Sequence, residues 1–269
     1  MRNAGSRSPM LLSLLFAVVL LLPWASEVRA DGMTAKQIID KAMEHSYLGR
    51  DGSQAKVRMT LTSRRGTQRN RMLLIWSNRE NKLTRSLVRI TAPPDVAGTS
   101  FLFKEKVGGR DDMWLYIPAL KRTRRIVGKA RQGRFLGSDF TYADIEAREL
   151  KSSSYKREAD ASIGRFGCYV ITATPKASAD SQYSKIVAWV RKDNFVAIRL
   201  KMFDRQGRLL KKLFVRRLGK GRQGRPVVKE TRMVNVQDRS STLMQVLSTQ
   251  SLKGGASGVF TVRNLARGL

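Results

Sequence analysis

One cysteine, one histidine and few carboxylates mark this 269-residue chain at first sight. With Cys168 alone there is no intramolecular disulfide framework and no cysteine-based zinc site, and His45 alone rules out a His-rich metal centre. A His-dependent catalytic triad is reduced to a single candidate. Asp and Glu number 21 against 52 Lys and Arg, a formal net charge of +31. Long apolar runs are scarce too: the longest, Met10 to Leu22, has 13 residues, where about 20 are needed to cross hydrocarbon. What the chain does have is 42% hydrophobic residues, enough for a folded core carrying a cationic surface, on a length that suits one large domain or two small ones.

The N-terminus reads as an address. Arg2 and Arg7 precede the apolar run, and Pro23 to Ala30 ends with Val28 and Ala30 at the small-residue positions before a cleavage site. Residues 1–30 are therefore expected to be a signal peptide cleaved after Ala30. The mature domain, 31–269, begins with Asp31, so the cysteine of a lipid anchor is missing. Cleavage removes Arg2, Arg7, Arg29 and Glu27 and leaves +29. Export also changes what the charge can meet: phospholipid headgroups and other envelope anions instead of nucleic acid, which is not expected as a partner.

In the mature chain Thr34 to Ser46 has one amphipathic helical pattern, with Thr34 as N-cap and Ile38, Ile39, Ala42 and Met43 on one face. The period then switches to two. Val57, Met59 and Leu61 alternate with polar residues, and Arg65-Gly66-Thr67 is a turn before Arg71 to Trp76. Further strands are predicted at Leu83 to Thr91, Thr99 to Phe103, Met113 to Ile117 and Arg122 to Val127. After a polar segment, Gly128 to Lys156, with a short helix at Tyr142 to Glu149, they resume at Cys168 to Thr174, Lys185 to Arg191, Val196 to Phe203, Leu209 to Val215, Val227 to Val236 and Thr242 to Ser248. Eleven or twelve strands with short turns and no βαβ rhythm predict a mainly β fold. It is one large curved antiparallel sheet, an unclosed barrel, with the first helix and the central segment as its lid.

Such a sheet must cover its inner face. Leu73, Ile75, Phe101, Phe103, Trp114, Tyr116, Trp189 and Leu200 are the inward candidates, together with Val57, Met59, Leu61, Val187, Ile198 and Met202. They form either an ordinary packed core or a cavity for an apolar ligand, because one small helix does not fill a barrel of this circumference.

The central stretch is the most distinctive part of the chain. Met113-Trp114-Leu115-Tyr116-Ile117-Pro118 leads into Arg124-Arg125-Ile126 and then Phe135-Leu136-Gly137-Ser138-Asp139-Phe140-Thr141-Tyr142-Ala143-Asp144. Together with Tyr183 to Phe195 and the closing Phe260-Thr261-Val262-Arg263-Asn264-Leu265, it resembles the outer-membrane lipoprotein-sorting protein family. The similarity is to LolA-like periplasmic carriers, in a subgroup that often accompanies RND-type lipid exporters. The resemblance implies an unclosed β-barrel around helices whose hydrophobic cavity carries lipid or lipoprotein acyl chains across the periplasm. It implies an inner-membrane transporter of RND or ABC type as partner and a chain that acts as a monomer without cofactor.

Enzymatic readings are weaker. Asp139, Asp144 and Glu146 stand near Ser138 and Tyr142, but a helix cap and pairing with the abundant Arg account for them, and no Gly-x-Ser-x-Gly elbow surrounds Ser138. Cys168 reads as a buried apolar filler. No catalytic or metal site is expected. Two basic clusters, Lys121 to Arg134 and Lys211 to Arg225, flank the expected rim. Lys121, Arg122, Arg124, Arg125, Lys211, Lys212, Arg216 and Arg217 are the candidates for docking on an anionic membrane or an acidic partner. A lipid or lipoprotein sensor of envelope stress is the main alternative. Its relatives usually carry a second domain after the barrel, and the roughly twenty residues beyond Ser248 leave no room for one.

Overall fold

The computed structural model describes residues 32–44, 52–81, 83–108, 110–146, 150, 152–221, 224–252 and 258–267. The expected leader and His45 lie outside these residues. The chain runs through helix α1 (Ala35–Met43) and six strands: β1 (Ser53–Thr62), β2 (Gln68–Glu80), β3 (Leu83–Ala92), β4 (Ser100–Lys104), β5 (Asp112–Ile117) and β6 (Arg122–Arg125). A strap of short turns, residues 128–146, ends in α2 (Tyr142–Glu146). Eight strands follow: β7 (Ser153–Arg157), β8 (Ala161–Ile163), β9 (Phe166–Pro175), β10 (Tyr183–Arg191), β11 (Ala197–Asp204), β12 (Leu209–Lys220), β13 (Pro226–Asn235) and β14 (Ser240–Ser251). A C-terminal helix, α3 (Val262–Arg267), closes the described chain.

All 14 strands belong to one antiparallel sheet in the order β6-β5-β4-β3-β2-β1-β14-β13-β12-β11-β10-β9-β7, with β8 beside β9. Two meanders are therefore joined by the pairing of β1 with β14. The sheet is not closed by hydrogen bonds: β6 and β7 are its ends. Edge β6 reads Arg-Thr-Arg-Arg, and a row of positive charge on an open edge discourages pairing with another chain. β7 and β8 are too short to show a clear alternation in the sequence, and the six residues of α3 are too few to show a helical period.

The alternation that predicted the strands sets up two apolar faces. On the concave face Val57, Met59, Leu73, Ile75, Val88, Ile90, Phe101, Phe103, Ile171, Leu200, Met202 and Leu213 form the main core, and α1 inserts the fully buried Ile38 and Ile39 among them. Thr34 caps that helix reciprocally with Gln37 as a capping box. On the convex face a second, smaller core holds Trp76, Leu87, Leu102, Phe260 and Leu265 under α3. Arg89 donates to the carbonyls of Asn264 (2.7 Å) and Leu265 (3.3 Å), satisfying the helix's orphan acceptors.

The β11–β12 hairpin depends on one carboxylate. Asp204 accepts from the backbone N–H of Gln206 (3.0 Å) and Arg208 (2.9 Å), from Arg208 Nε (3.0 Å) and from Gln237 Nε2 (2.8 Å). These donors, Gln237 first, hold its carboxyl down to about 2, below the ordinary 3.8. Because the folded-state value is depressed, the stabilisation is complete above about pH 4 and is lost as pH falls through 2. Asp204→Asn is expected to lower Tm at neutral pH, with the gap to the wild type closing between about pH 4 and pH 2 in a melting series.

Candidate functional site

The concave face is covered by the strap, and the strap is the segment carrying the Phe-Leu-Gly-Ser-Asp-Phe-Thr-Tyr-Ala-Asp motif. Its apolar members point into the sheet: Phe135, Leu136, Phe140 and Tyr142 are all buried in the main core. Phe135, Tyr142 and Phe101 of β4 form a three-ring cluster with centroid separations of 5.1, 5.3 and 5.7 Å. Edge-on and tilted contacts of this kind add to the burial of each ring.

Its polar members fasten it to strands from both halves of the sheet. Asp139 accepts from Thr242 Oγ1 (2.7 Å) and Ser240 on β14, and its own N–H donates to Thr242 Oγ1 (2.9 Å). Asp144 accepts from Tyr183 Oη on β10 (2.7 Å), from Lys211 Nζ on β12 (3.1 Å) and from the backbone of Thr141 (2.7 Å). Thr141 Oγ1 in turn accepts from Asp144 N–H, a reciprocal cap on α2. Arg71 of β2 donates to the carbonyl of Leu136. The glycine that follows is dictated by this contact: Gly137 has φ +72° and a Cβ there would stand 3.2 Å from the Arg71 guanidinium. Only glycine combines that backbone with that approach.

Of the inward candidates, Leu73, Ile75, Phe101, Phe103 and Leu200 lie buried on the concave face. Trp114, Tyr116 and Trp189 do not. On β5 the inward residues are Met113 and Leu115, paired with Phe103 and Phe101, while Trp114 and Tyr116 pack outward against the α3 cluster. On β10 the inward residues are Ile186, Ala188 and Val190; Trp189 faces the convex side, where Arg199 and Lys201 lie over its ring. Both strands carry apolar residues on two faces, and the bulkier set, expected inward, lies on the outer one. Val187, paired with Lys201, and Ile198, in a groove with Phe214 and Arg232, go outward with Trp189.

The docking candidates divide similarly. Lys121, Arg122, Arg124 and Arg125 are exposed at and beside the β6 edge, with Arg125 ion-paired to Asp112. Arg216 and Arg217 are exposed and Lys212 is half-buried. Lys211 is the exception: 3% exposed and paired to Asp144 inside the sheet, it fastens the strap and presents no charge to a surface. The sequence had no means of showing this, since Lys211 and Lys212 are chemically identical neighbours and only the direction of the strand separates them.

Asp139 and Asp144 are thus committed to holding the strap, and no cluster able to hold a metal ion occurs among the described residues. Cys168 is buried, and burial pushes its thiol up, away from the reactive thiolate. No helix among the described residues is long and apolar enough to cross a membrane.

A family model described as "Uncharacterized protein" matches residues 82–267. The chain is similar to the crystal structure of an outer membrane lipoprotein-sorting protein domain from Vibrio parahaemolyticus, with 26% identity and TM-score 0.79 over 87% of this chain and 100% of that one. It is similar to a DUF1329 family protein from Desulfovibrio piger, with 28% identity and TM-score 0.77 over 86% and 98% of the two chains. A LolA superfamily protein from Nitrosomonas europaea shares the fold at 21% identity and TM-score 0.66, over 85% of this chain and 98% of that one. No curated protein matches the sequence. Because the family model spans well over half of it, the chain belongs to that DUF1329-like family, and it shares the LolA-like fold nearly end to end.

Proposed function

We propose that the protein is a periplasmic carrier that takes a lipid or a lipoprotein's acyl chains against the concave face of the sheet and passes them between inner and outer membrane. The observation that carries this reading is the strap: an aromatic plug laid on an apolar face and fastened by hydrogen bonds and one ion pair, with no covalent tie among the described residues. Re-exposing Phe135, Leu136, Phe140 and Tyr142 at about 1.5–3 kcal/mol each costs about 6–12 kcal/mol. An acyl chain burying about fourteen methylenes at about 0.8 kcal/mol each returns about 11 kcal/mol. The two burial terms nearly cancel, so the exchange of plug and cargo turns on the hydrogen bonds and the ion pair that fasten the strap. A carrier that must release without a chemical step needs that balance.

In this reading Leu73, Ile75, Phe101, Phe103 and Leu200 contact the cargo, and Phe135 and Tyr142 move aside. The leader of residues 1–30 sends the chain to the periplasm, and the exposed Lys121, Arg122, Arg124 and Arg125 beside the strap face an acidic surface of an inner-membrane transporter. The test is lipid content and uptake. Native mass spectrometry of protein purified from the envelope is expected to show a bound lipid mass, and the delipidated protein is expected to take up a fluorescent fatty acid. Only apo protein, together with no uptake, would overturn the reading.

A further inference from the structure

The convex side of β10 to β13 carries a feature the carrier reading does not use. Trp189, Arg199, Phe214 and Arg232 are direct cross-strand neighbours on four successive strands, so ring and guanidinium alternate along one row. Arg199 lies between two rings, 5.9 Å from Trp189 and 5.7 Å from Phe214. Beside the row lies a groove of about 680 Å³, lined by Phe166, Phe214, Leu218 and other apolar side chains and by five arginines, 191, 199, 216, 217 and 232, with no acidic residue in its wall.

Two of those arginines are answered: Arg191 binds Asp193, and Arg216 stands 3.4 Å from Glu230. Arg199, Arg217 and Arg232 have no carboxylate partner among the described residues, although Arg232 donates to Ser241 Oγ (3.2 Å). The Nε of Arg199 is buried and has no hydrogen-bond acceptor. Three guanidinium groups line one groove, Arg199 among them held between two rings, and such forks of N–H donors match the oxygens of a phosphate.

We propose that this groove binds the phosphate headgroups of anionic membrane lipids and so seats the convex face of the sheet on a bilayer. One observation favours a headgroup over an acidic peptide. The row next to the groove continues with Lys201 over Trp189 (5.4 Å) and Lys185 over Phe203 (4.6 Å), the pairing of aromatic body and cationic tip that suits a membrane interface. The proposal rests on the reading that the protein works between bilayers, and it deepens the docking part of that reading. It moves the docking surface away from Lys211 to side chains whose charge is open to a ligand.

The experiment is sedimentation of the full mature chain with vesicles of phosphatidylcholine, with and without phosphatidylglycerol, at low ionic strength. Wild type is expected to bind only the vesicles that contain phosphatidylglycerol. R199Q/R217Q/R232Q is expected to bind them roughly 100-fold more weakly, about the loss of three interfacial cations. A control with the same charge change on the β1–β2 hairpin, R64Q/R65Q/R69Q, is expected to stay within a few-fold of wild type. Undiminished binding by the groove variant, or an equal loss in the control, would overturn the proposal. So would wild type that ignores vesicles yet binds polyglutamate through the same three arginines, which would assign the groove to an acidic protein. If the triple variant fails to fold, R217Q alone, at an exposed position, is expected to weaken vesicle binding about fivefold, and unchanged binding there would count equally against the proposal. Fatty-acid uptake by the groove variants is expected to equal that of wild type, so failure of the cargo reading and failure of the groove are read separately.

Discussion

Lys211→Met is expected to destabilise the protein by about 3–5 kcal/mol in denaturant unfolding, the cost of leaving a buried charge without its partner. The side chains of Lys211 and Asp144 are 4% and 8% exposed, so water cannot take over when either is removed. In Lys211→Met the Asp144 carboxylate keeps only the hydroxyl of Tyr183 and the backbone of Thr141. The double variant Asp144→Asn/Lys211→Met, neutral on both sides, is expected to recover most of the loss, since a buried ion pair against a neutral replacement comes out near break-even. A double-mutant cycle measures the difference. The same substitution should loosen the strap more than the sheet. Hydrogen exchange in residues 133–145 is expected to rise in Lys211→Met while β1, β2 and β14 keep their protection. A uniform rise over all strands would show that the pair supports the whole core and has no particular hold on the strap.

The second large effect concerns the plug. Phe135 is fully buried between Phe101 and Tyr142, and Phe135→Ala is expected to cost about 3–5 kcal/mol through lost burial and the space left behind. In an ordinary core that would be the whole result. If the ring occupies the place of cargo, the variant should also bind a fluorescent fatty acid more tightly than wild type, because less apolar surface must be re-exposed to admit it. Loss of stability without any gain in uptake would place Phe135 in the permanent core and move the cargo path elsewhere. Leu87→Ala, in the convex core under α3, is the matched control: a comparable loss of stability is expected, with uptake unchanged.

How much of this was legible beforehand differs from element to element. The period of two at Val57, Met59 and Leu61 gave β1 and the sheet, and Thr34 with Ile38 and Ile39 gave α1 and its cap, because these signals are local and depend on a single buried face. Phe101 and Phe103 do lie inward, although β4 is buried on both faces and Leu102 belongs to the convex core, so there the bulkier residues coincide with the inner phase. Trp114, Tyr116 and Trp189 do not: their strands are covered on both sides, by the strap or main core within and by α3 or a layer of arginines outside. An alternation pattern has two phases, and nothing within a strand says which is covered by what. The motif at residues 135–144 was visible as a motif, but its acidic residues offered several roles. Only their partners on β10, β12 and β14, some 40 to 100 positions away in the chain, show that they fasten a strap.

The sequence by itself determined the antiparallel sheet, the single N-terminal helix, the family, and an excess of positive charge with few acids to answer it. Those properties follow from composition and short-range periodicity, which do not depend on what the chain meets later. The tertiary structure decided which face of each strand is inside, that Lys211 is a buried partner of Asp144 while Arg217 is exposed at the surface, and that the central segment lies as a plug on the concave face. Each of these is a property of two elements brought together, and burial, pairing and charge exposure have no value for a residue until its neighbour is in place.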